Sequence, residues 1–373
     1  MTTIPPFDLS EQFKLIGSDI NQAVLEVLAS GRYIGGATIE NFENQFATYI
    51  GASECVTCNS GTDALYLALR SLKIGAGDHV ITSPFTFIAT AETISAVGAT
   101  PVFVDIDPRT FNFNLDQVEA AITPQTKAIV PIHLFGQPVD MTRLMAIATA
   151  HNLAVIEDCA QATGAEWAGQ KVGSIGHVGC FSFYPTKNLG ACGDGGAIIT
   201  NDPELAATVK MLRDHGRRSG YYHEEHGVNS RLDAIQAAIL QIKLRYLDTW
   251  NEQRRRVADR YHQLLSPLSD LVLPHEIAGG RCVWNQYTIR VTETEAERRD
   301  AVKRALQERG VTSMIYYPYP LHQQPIYQSL GYQLGQLPEA DRAAREVLSL
   351  PMFPELSELQ QDQVVYSLKD SLA

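Results

Sequence analysis

The sequence predicts an α/β protein whose large domain is built on a mostly parallel central sheet, followed by a smaller α+β C-terminal domain. In the first half, short apolar runs of strand length alternate with helix-like stretches. Parallel strands need long crossover connections, which are usually helices, so this alternation predicts a parallel sheet covered on both faces. The last third instead mixes a long helical pattern with strand patterns. We expect the large domain over residues 1–245 and the small domain over residues 246–373.

The predicted strands of the large domain are short runs rich in β-branched and aromatic residues. They are Val80–Ser83, Pro101–Asp105, Ala128–Ile132, Ala154–Glu157, Gly179–Phe183 and Ala197–Thr200. The helices predicted between them are mostly apolar stretches, the last of which has apolar residues at helical spacing. They are Ala64–Leu72, Ala89–Val97 and Met141–His151.

The second half begins with one long predicted helix, from Leu232 to about Leu265. Its apolar stripe consists of Ile235, Ile239, Ile242 and Tyr246. Three elements are predicted after it: a half-buried strand, an exposed charged helix that Gly310 ends, and another strand. They are Trp284–Val291, Thr294–Arg309 and Val311–Tyr317.

Composition and charge exclude several classes of protein. Of the 373 residues, 45% are hydrophobic and 19% charged, as in a globular protein with a large core, and the formal charge is −12. Such an acidic surface repels nucleic acids and anionic membranes, so neither is an expected partner. The first residues do not resemble a signal peptide, and no apolar run reaches the ~20 residues of a membrane span. We therefore expect a cytoplasmic protein.

The six cysteines do not indicate a metal site. Cys55 and Cys58 form a C-x-x-C, but no second pair follows at zinc-like spacing. We expect small buried hydrophobic residues rather than a redox pair.

Two polar stretches end or begin elements where ligands bind in α/β proteins. In Asn59-Ser-Gly-Thr-Asp-Ala-Leu65 a Gly-containing turn opens into an apolar helix, which predicts either an anion site or simple N-capping by Ser60 or Thr62. In Val155-Ile-Glu-Asp-Cys-Ala-Gln161 a hydrophobic strand ends in two carboxylates. Ligands bind at the carboxyl ends of such strands, although an Asp here also starts helices.

The third stretch places a lysine among aromatic and small residues. It is Cys180-Phe-Ser-Phe-Tyr-Pro-Thr-Lys-Asn-Leu-Gly190, followed by Gly193-Asp-Gly-Gly196. A desolvated lysine has a lowered pKa and becomes a nucleophile able to form Schiff bases. The alternative is an ordinary surface lysine on a loop.

These three stretches, in this order, resemble the DegT/DnrJ/StrS family, the sugar aminotransferase branch of the fold-type I pyridoxal-phosphate (PLP) enzymes. The resemblance runs from about Ile4 to the C-terminus, and its most specific element is Ser182-Phe-Tyr-Pro-Thr-Lys187. It implies an aspartate-aminotransferase-like large domain.

The resemblance implies a cofactor site with two catalytic residues, Lys187 as the Schiff-base lysine and Asp158 as the partner of the pyridine nitrogen. It implies further cofactor contacts to the phosphate, to the phenolic oxygen and to the ring face. These contacts are Gly61, Thr62 and Ser182 for the phosphate, Gln161 for the phenolic oxygen, Phe85 as the stacking ring, and Asn229 reaching the phosphate across a homodimer interface. The alternatives are an exposed Gln161 and a core aromatic at Phe85.

The implied substrate contacts lie in four segments of the chain. They are Arg32 and Tyr33, Tyr184, Arg231, and Tyr316, Tyr317 and His322 in the segment Ile315–His322. Tyr316 departs from the family pattern, since many relatives have histidine there, which puts any imidazole contact in doubt. A packing role for Tyr184 and a structural salt bridge for Arg231 are the alternatives.

The expected reaction is transfer of an amino group from L-glutamate to a nucleotide-linked 3-keto sugar, for polysaccharides or glycosylated metabolites. A 4-keto-6-deoxy sugar is the alternative, and the residues do not distinguish dTDP from UDP. Sugar dehydratases of this fold carry histidine in place of the lysine, so Lys187 argues against them. A PLP-binding regulator is the other alternative. An NAD-dependent dehydrogenase is not expected, because no G-x-G-x-x-G follows a strand.

Overall fold

A computed structural model describes residues 3–292 and 297–372. Its helices are α1 (Ser10–Ser30), α2 (Ala37–Ile50), α3 (Gly61–Ser71), α4 (Ala89–Ala96), α5 (Leu115–Val118), α6 (Met141–Ala150), α7 (Pro203–Leu212), α8 (Ala234–Leu244), α9 (Leu247–Leu265), α10 (Arg298–Glu308), α11 (Pro338–Glu346) and α12 (Glu358–Leu372). Among them, none is long and apolar enough to cross a membrane.

The strands are β1 (Glu54–Cys58), β2 (His79–Thr82), β3 (Thr100–Phe103), β4 (Thr126–Ile129), β5 (Ala154–Asp158), β6 (Glu166–Trp167), β7 (Gln170–Lys171), β8 (Val178–Ser182), β9 (Gly196–Thr200), β10 (Arg217–Ser219), β11 (Tyr222–His223), β12 (Leu271–Val272), β13 (Gly280–Arg281), β14 (Tyr287–Val291) and β15 (Val347–Leu350). Short 3-10 helices cover Glu119–Ala121, Leu134–Gly136, Leu321–Gln323 and Pro325–Leu330.

The central sheet has seven strands in the order β1-β9-β8-β5-β4-β2-β3, and only β9 runs against the others. The predicted mostly parallel α/β sheet is therefore confirmed, including all six predicted strands. The sequence analysis missed β1, which pairs with β9 at one edge. In the middle, β5 and β8 are parallel neighbours with Asp158 opposite Cys180, so both strands end at the same edge of the sheet.

Both faces of this sheet are covered by apolar residues of helices. On one face, Phe42 and Phe46 of α2 pack on Phe181 and Phe183 around β8. On the other face, apolar residues of α3 cover β1, β5 and β9. Cys55 and Cys58 belong to these two opposite clusters, which confirms that they are buried core residues rather than a facing pair.

A second core forms around the three-stranded antiparallel sheet β12-β14-β15, on which α9, α10 and α12 pack. Tyr261 and Tyr287 are its largest fully buried side chains. The segment that starts with Ile4 also belongs to this core, since Ile4 bridges to Val311.

The predicted single helix from Leu232 to Leu265 is wrong, because a turn at residues 245–246 divides it into α8 and α9. The two helices bury different faces. Ile239 and Ile242 of α8 pack on α1, whereas Val257 and Tyr261 of α9 turn toward the second core.

Three predictions for the C-terminal region need correction. The Trp284–Val291 strand starts only at Tyr287 and is fully buried, because β14 is the middle strand of its sheet. The charged helix starts at Arg298, and residues 294–296 of the prediction lie outside the described residues; Gly310 follows it at φ 77°, as predicted. Val311–Tyr317 forms only isolated bridges, because its neighbours pair with other strands.

We predict that Phe46→Ala destabilises the protein strongly. Phe46 has no exposed surface and contacts the rings of Phe42, Phe181 and Phe183, so its truncation leaves a cavity that costs about 3–5 kcal/mol in the free energy of unfolding. Urea unfolding checks this. Tyr366→Ala, at a side chain that is 72% exposed, is the control and should cost under about 0.5 kcal/mol.

Candidate active site

The candidate site lies where β5 and β8 end side by side. Asp158 is the last residue of β5, and the chain continues from Ser182 at the end of β8 into the loop that carries Lys187. Because side chains alternate along a strand, Asp158 and its neighbour Glu157 point to opposite faces. The structure thus brings Asp158 and Lys187 to one edge of the sheet, as predicted.

Asp158 is a buried carboxylate with neutral donors. Its Oδ2 accepts a hydrogen bond from the Thr90 hydroxyl at 2.8 Å, and its Oδ1 accepts from the Ala160 N–H at 3.1 Å. Burial raises the pKa of Asp158, while the bonds from Thr90 and Ala160 and the attraction of Lys187 act in the opposite direction. These opposing effects leave a carboxylate whose charge is suited to a cationic ligand atom.

Lys187 is half-buried. Burial lowers the pKa of Lys187 to about 8, against the opposing attraction of Asp158. Its loop is held on both sides. The side chain of Asn188, the next residue, donates to Asn251 and accepts from Asn285, and buried Lys243 donates to the Gly190 carbonyl at 2.7 Å.

The start of α3 forms a cradle next to this pair. Ser60 caps the helix by accepting from the Asp63 N–H at 3.1 Å, which confirms capping by Ser60. The N–H groups of Gly61 and Thr62 open the helix and have no partner within it. A Cβ on Gly61 would lie 2.6 Å from that of Ser182, so only glycine allows this close approach. The N–H groups and the Ser182 hydroxyl together suit a phosphate.

The aromatic residue best placed to stack on a ring is not Phe85. Phe85 has no exposed surface and lies among core aromatics such as Phe111, which corrects the sequence-based assignment in favour of its core alternative. Phe87, two residues later, is 56% exposed and lies against Tyr317. Sequence reasoning missed it, although both rings belong to the same Ser83–Phe87 stretch.

Gln161 and the tyrosines line the same side of the site. Gln161 is buried; its amide donates to the Tyr317 hydroxyl at 3.1 Å, and its Oε1 accepts from the Phe135 N–H. Tyr184 is 53% exposed and lies near Tyr316, whose pKa is raised first by burial and second by charge repulsion from Tyr184. Three predicted substrate tyrosines are therefore close to the reactive pair.

His322 does not lie at this surface. It is 3% exposed, and its Nε2 lies 3.0 Å from Asp341 Oδ1 under the Tyr332 ring. Its burial lowers its pKa. The predicted substrate contact by His322 is contradicted, because its imidazole faces α11 in the interior.

The remaining predicted residues form a group around the start of α8. Arg32 and Tyr33 are exposed, and the Tyr33 carbonyl accepts from the Ala234 N–H. Asn229 is exposed as well, which leaves its side chain free to contact a second chain. Arg231 pairs with Asp214 at 3.1 Å, the salt bridge considered as its alternative.

This geometry is accompanied by a match to a known family along nearly the whole chain. A model of the DegT/DnrJ/EryC1/StrS aminotransferase family matches residues 14–369. The chain belongs to this family. It is therefore an aminotransferase, and its cofactor is PLP, which solved members of the family carry in the PLP or PMP form.

Individual relatives are similar over almost their whole length. A Geobacillus stearothermophilus protein named pleiotropic regulatory protein is 51% identical, with 98% of each chain covered. The UDP-N-acetyl-3-dehydro-alpha-D-glucosamine 3-aminotransferase of Acidithiobacillus ferrooxidans is 47% identical, with 100% of this chain and 98% of that protein covered. A crystal structure of Streptomyces venezuelae DesV with a ketimine intermediate has a TM-score of 0.96 at 43% identity, with coverages of 99% and 98%.

The residues present fit the cofactor of the family. The helix start at Gly61 and the Ser182 hydroxyl suit its phosphate, the buried Asp158 carboxylate suits a protonated ring nitrogen, and Lys187 offers an amine of lowered pKa. Glu157, the neighbour of Asp158, has a different function. It accepts N–H bonds from Gly173, Ile175 and Gly176 and so holds the turn between β7 and β8.

We predict that covalent reaction of the cofactor-free protein with added PLP becomes faster as pH rises through about 8. Only the uncharged amine attacks, and below about pH 8 Lys187 is mostly protonated. The growth of imine absorbance with time measures the rate. Lys187→Arg, the control, should show no such growth at any pH. A wild-type rate that does not change between about pH 6 and pH 9 would contradict the assignment of Lys187 as the reacting amine.

Proposed function

We propose that this enzyme transfers the amino group of L-glutamate to a nucleotide-linked 3-keto sugar. The observation that carries the proposal is the half-buried Lys187 amine beside the buried Asp158 carboxylate, next to the cradle at Gly61. The substrate class is supported by relatives at 47% and 43% identity that act on 3-keto or 3-amino nucleotide sugars. The proposed nucleotide is dTDP or UDP, and the proposed location of the enzyme is the cytoplasm.

The residues around Lys187 would hold the cofactor in this proposal. Gly61, Thr62 and Ser182 would hold its phosphate, Asp158 would keep its ring nitrogen protonated, and Gln161 would bind its phenolic oxygen. When bound, PLP supplies an electron-withdrawing ring that stabilises negative charge on the neighbouring carbon.

Lys187 has two functions in succession. It would first hold the cofactor covalently, until the amine of glutamate displaces it. The freed, uncharged amine would then be the base that accepts the proton of the amino-acid carbon, and in the second half-reaction it would donate a proton to the sugar carbon. A pKa of about 8 suits this, because both protonation states are accessible near neutral pH.

The sugar nucleotide is proposed to bind on the side of the three tyrosines. Tyr184, Tyr316 and Tyr317 offer hydroxyls and ring faces for a neutral hexose, and Phe87 offers a ring face to the cofactor. Arg32, Tyr33 and Arg231 are proposed to meet the diphosphate or nucleotide, although Arg231 must share its guanidinium with Asp214. Binding energy from this remote group positions the keto carbon.

The active unit is proposed to be a homodimer. Asn229 is exposed in the single chain, and so are apolar residues of α1 such as Phe13, Leu15 and Leu25. A self-complementary interface would bury such residues and would let Asn229 reach the phosphate in the site of the other subunit.

We predict turnover with glutamate and nucleotide-linked 3-keto sugars, measured by mass spectrometry of the amino sugar. Lys187→Ala should lower the rate at least about 100-fold. Lys210→Ala, at an exposed lysine paired with Glu54, is the matched control and should keep full activity. Turnover of 4-keto sugars alone would contradict the 3-keto assignment. Cofactor binding without turnover of any sugar would favour the alternative, a PLP-binding regulator; the G. stearothermophilus relative is named a pleiotropic regulatory protein.

We predict that mixed subunits of Lys187→Ala and Asn229→Ala regain activity. Each variant alone should be nearly inactive at limiting PLP. In a composite site, each mixed dimer has one site with neither substitution, so random reassembly restores roughly a quarter of wild-type activity. Activity after denaturation and joint refolding measures this. No gain over the separately refolded variants would show that each chain completes its own site.

A further inference from the structure

A chain of two threonine hydroxyls ends on the carboxylate of Asp158. Thr90 of α4 donates from Oγ1 to Asp158 Oδ2 at 2.8 Å, and Thr86 Oγ1 lies 3.2 Å from Thr90 Oγ1. Their exposed fractions are 3% for Thr86, 1% for Thr90 and 5% for Asp158. All three side chains are therefore shielded from water. In such a low-dielectric interior, the hydrogen bonds of a chain polarise and strengthen one another.

The direction of this chain follows from the chemistry of the groups. An ionised carboxylate only accepts, so the single hydroxyl hydrogen of Thr90 is used on Asp158. Thr90 is therefore the acceptor of the second bond, and Thr86 is its donor. A hydroxyl that accepts one hydrogen bond is a better donor in the next, so Thr86 strengthens the bond from Thr90 to the carboxylate.

The donors that hold Asp158 are neutral, which matters for a ligand. Thr90 and the Ala160 N–H use one acceptor site on each carboxylate oxygen and leave a second on each. An arginine or lysine bonded there would cancel the charge, whereas hydroxyl and amide donors stabilise it and keep it available to a cationic ring nitrogen. The ionisable groups that face Asp158 from other parts of the fold are Lys187, His133, Tyr317 and the thiol of Cys180, and the thiol of Cys159 follows it in the chain.

We propose that Thr90, assisted by Thr86, is a positioning residue that keeps the Asp158 carboxylate ionised and aimed at the pyridine nitrogen of the cofactor. This inference rests on the proposed function. Without the Thr90 hydroxyl, one oxygen of a buried carboxylate loses its donor, and Asp158 takes up a proton more readily. A neutral Asp158 holds the ring nitrogen poorly, so cofactor affinity falls as pH falls. In a variant without the Thr90 hydroxyl, this loss of affinity occurs at a higher pH than in the wild type.

The test is the dissociation constant of PLP from the full chain, stripped of cofactor and titrated by absorbance across a range of pH. Thr90→Val should bind on the order of 10-fold more weakly at neutral pH, with the pH midpoint of the loss moved upward. Thr90→Ser keeps the hydroxyl and should restore both values. Thr93→Val is the matched control, because Thr93 is buried on the same helix but donates only to the carbonyls of Ala89 and Thr90.

The outcomes separate this inference from the proposed function. If the wild type binds PLP and Thr90→Val binds equally well at every pH, the inference is overturned and the proposed function stands. If the wild type forms no complex with PLP, both are overturned. Should Thr90→Val fail to fold, Thr86→Val takes its place. It should weaken PLP binding by less than the roughly 10-fold expected for Thr90→Val. An affinity and a pH midpoint equal to those of the wild type would then overturn the inference.

Discussion

The site depends on one constraint, which is that the Lys187 amine and the Asp158 carboxylate are both partly removed from water. In water both groups would be charged, and a protonated amine cannot act as a nucleophile. Here burial lowers the pKa of Lys187 to about 8 and raises the pKa of Asp158, while their mutual attraction opposes both shifts. The protein holds this balance with neutral donors, Thr90 and the Ala160 N–H, rather than with a direct ion pair. The result is an amine that can attack and a carboxylate that can still attract a cation.

The sheet provides the geometry for this balance. Because β5 and β8 are parallel neighbours, Asp158 and the Lys187 loop leave the sheet at the same edge. The antiparallel β9 returns beside β8, and Gly196 at its start lies so close to Ser60 that a Cβ would be 2.3 Å from the Ser60 carbonyl oxygen. This close approach places the start of α3 over the end of β8. Hydrogen bonds to α9 and to the segment before β14 then hold the loop, since Asn188 bonds to Asn251 and Asn285.

Local patterns predicted the central sheet well, because six of its strands are short β-branched or aromatic runs bounded by turns. They also singled out the stretches that carry Lys187, Asp158 and Gly61, but left alternatives open for each, and the roles of these residues came from the family resemblance. The errors arose where tertiary partners decide. Phe85 and Phe87 are two residues apart, and only the packing of Phe85 on Phe111 shows which ring is free. The partner of His322, Asp341, lies on another helix, and the partner of Thr90 is 68 residues away.

The central claim is that Lys187 holds the cofactor, and chemical trapping tests it most directly. Borohydride reduction of the PLP-loaded protein, followed by proteolysis and mass spectrometry, identifies the modified lysine. The account predicts a reduced pyridoxyl group on the peptide that contains Lys187, and its loss when glutamate is added before the reductant. A label on any other lysine, or none on a protein that has bound the cofactor, would contradict the account.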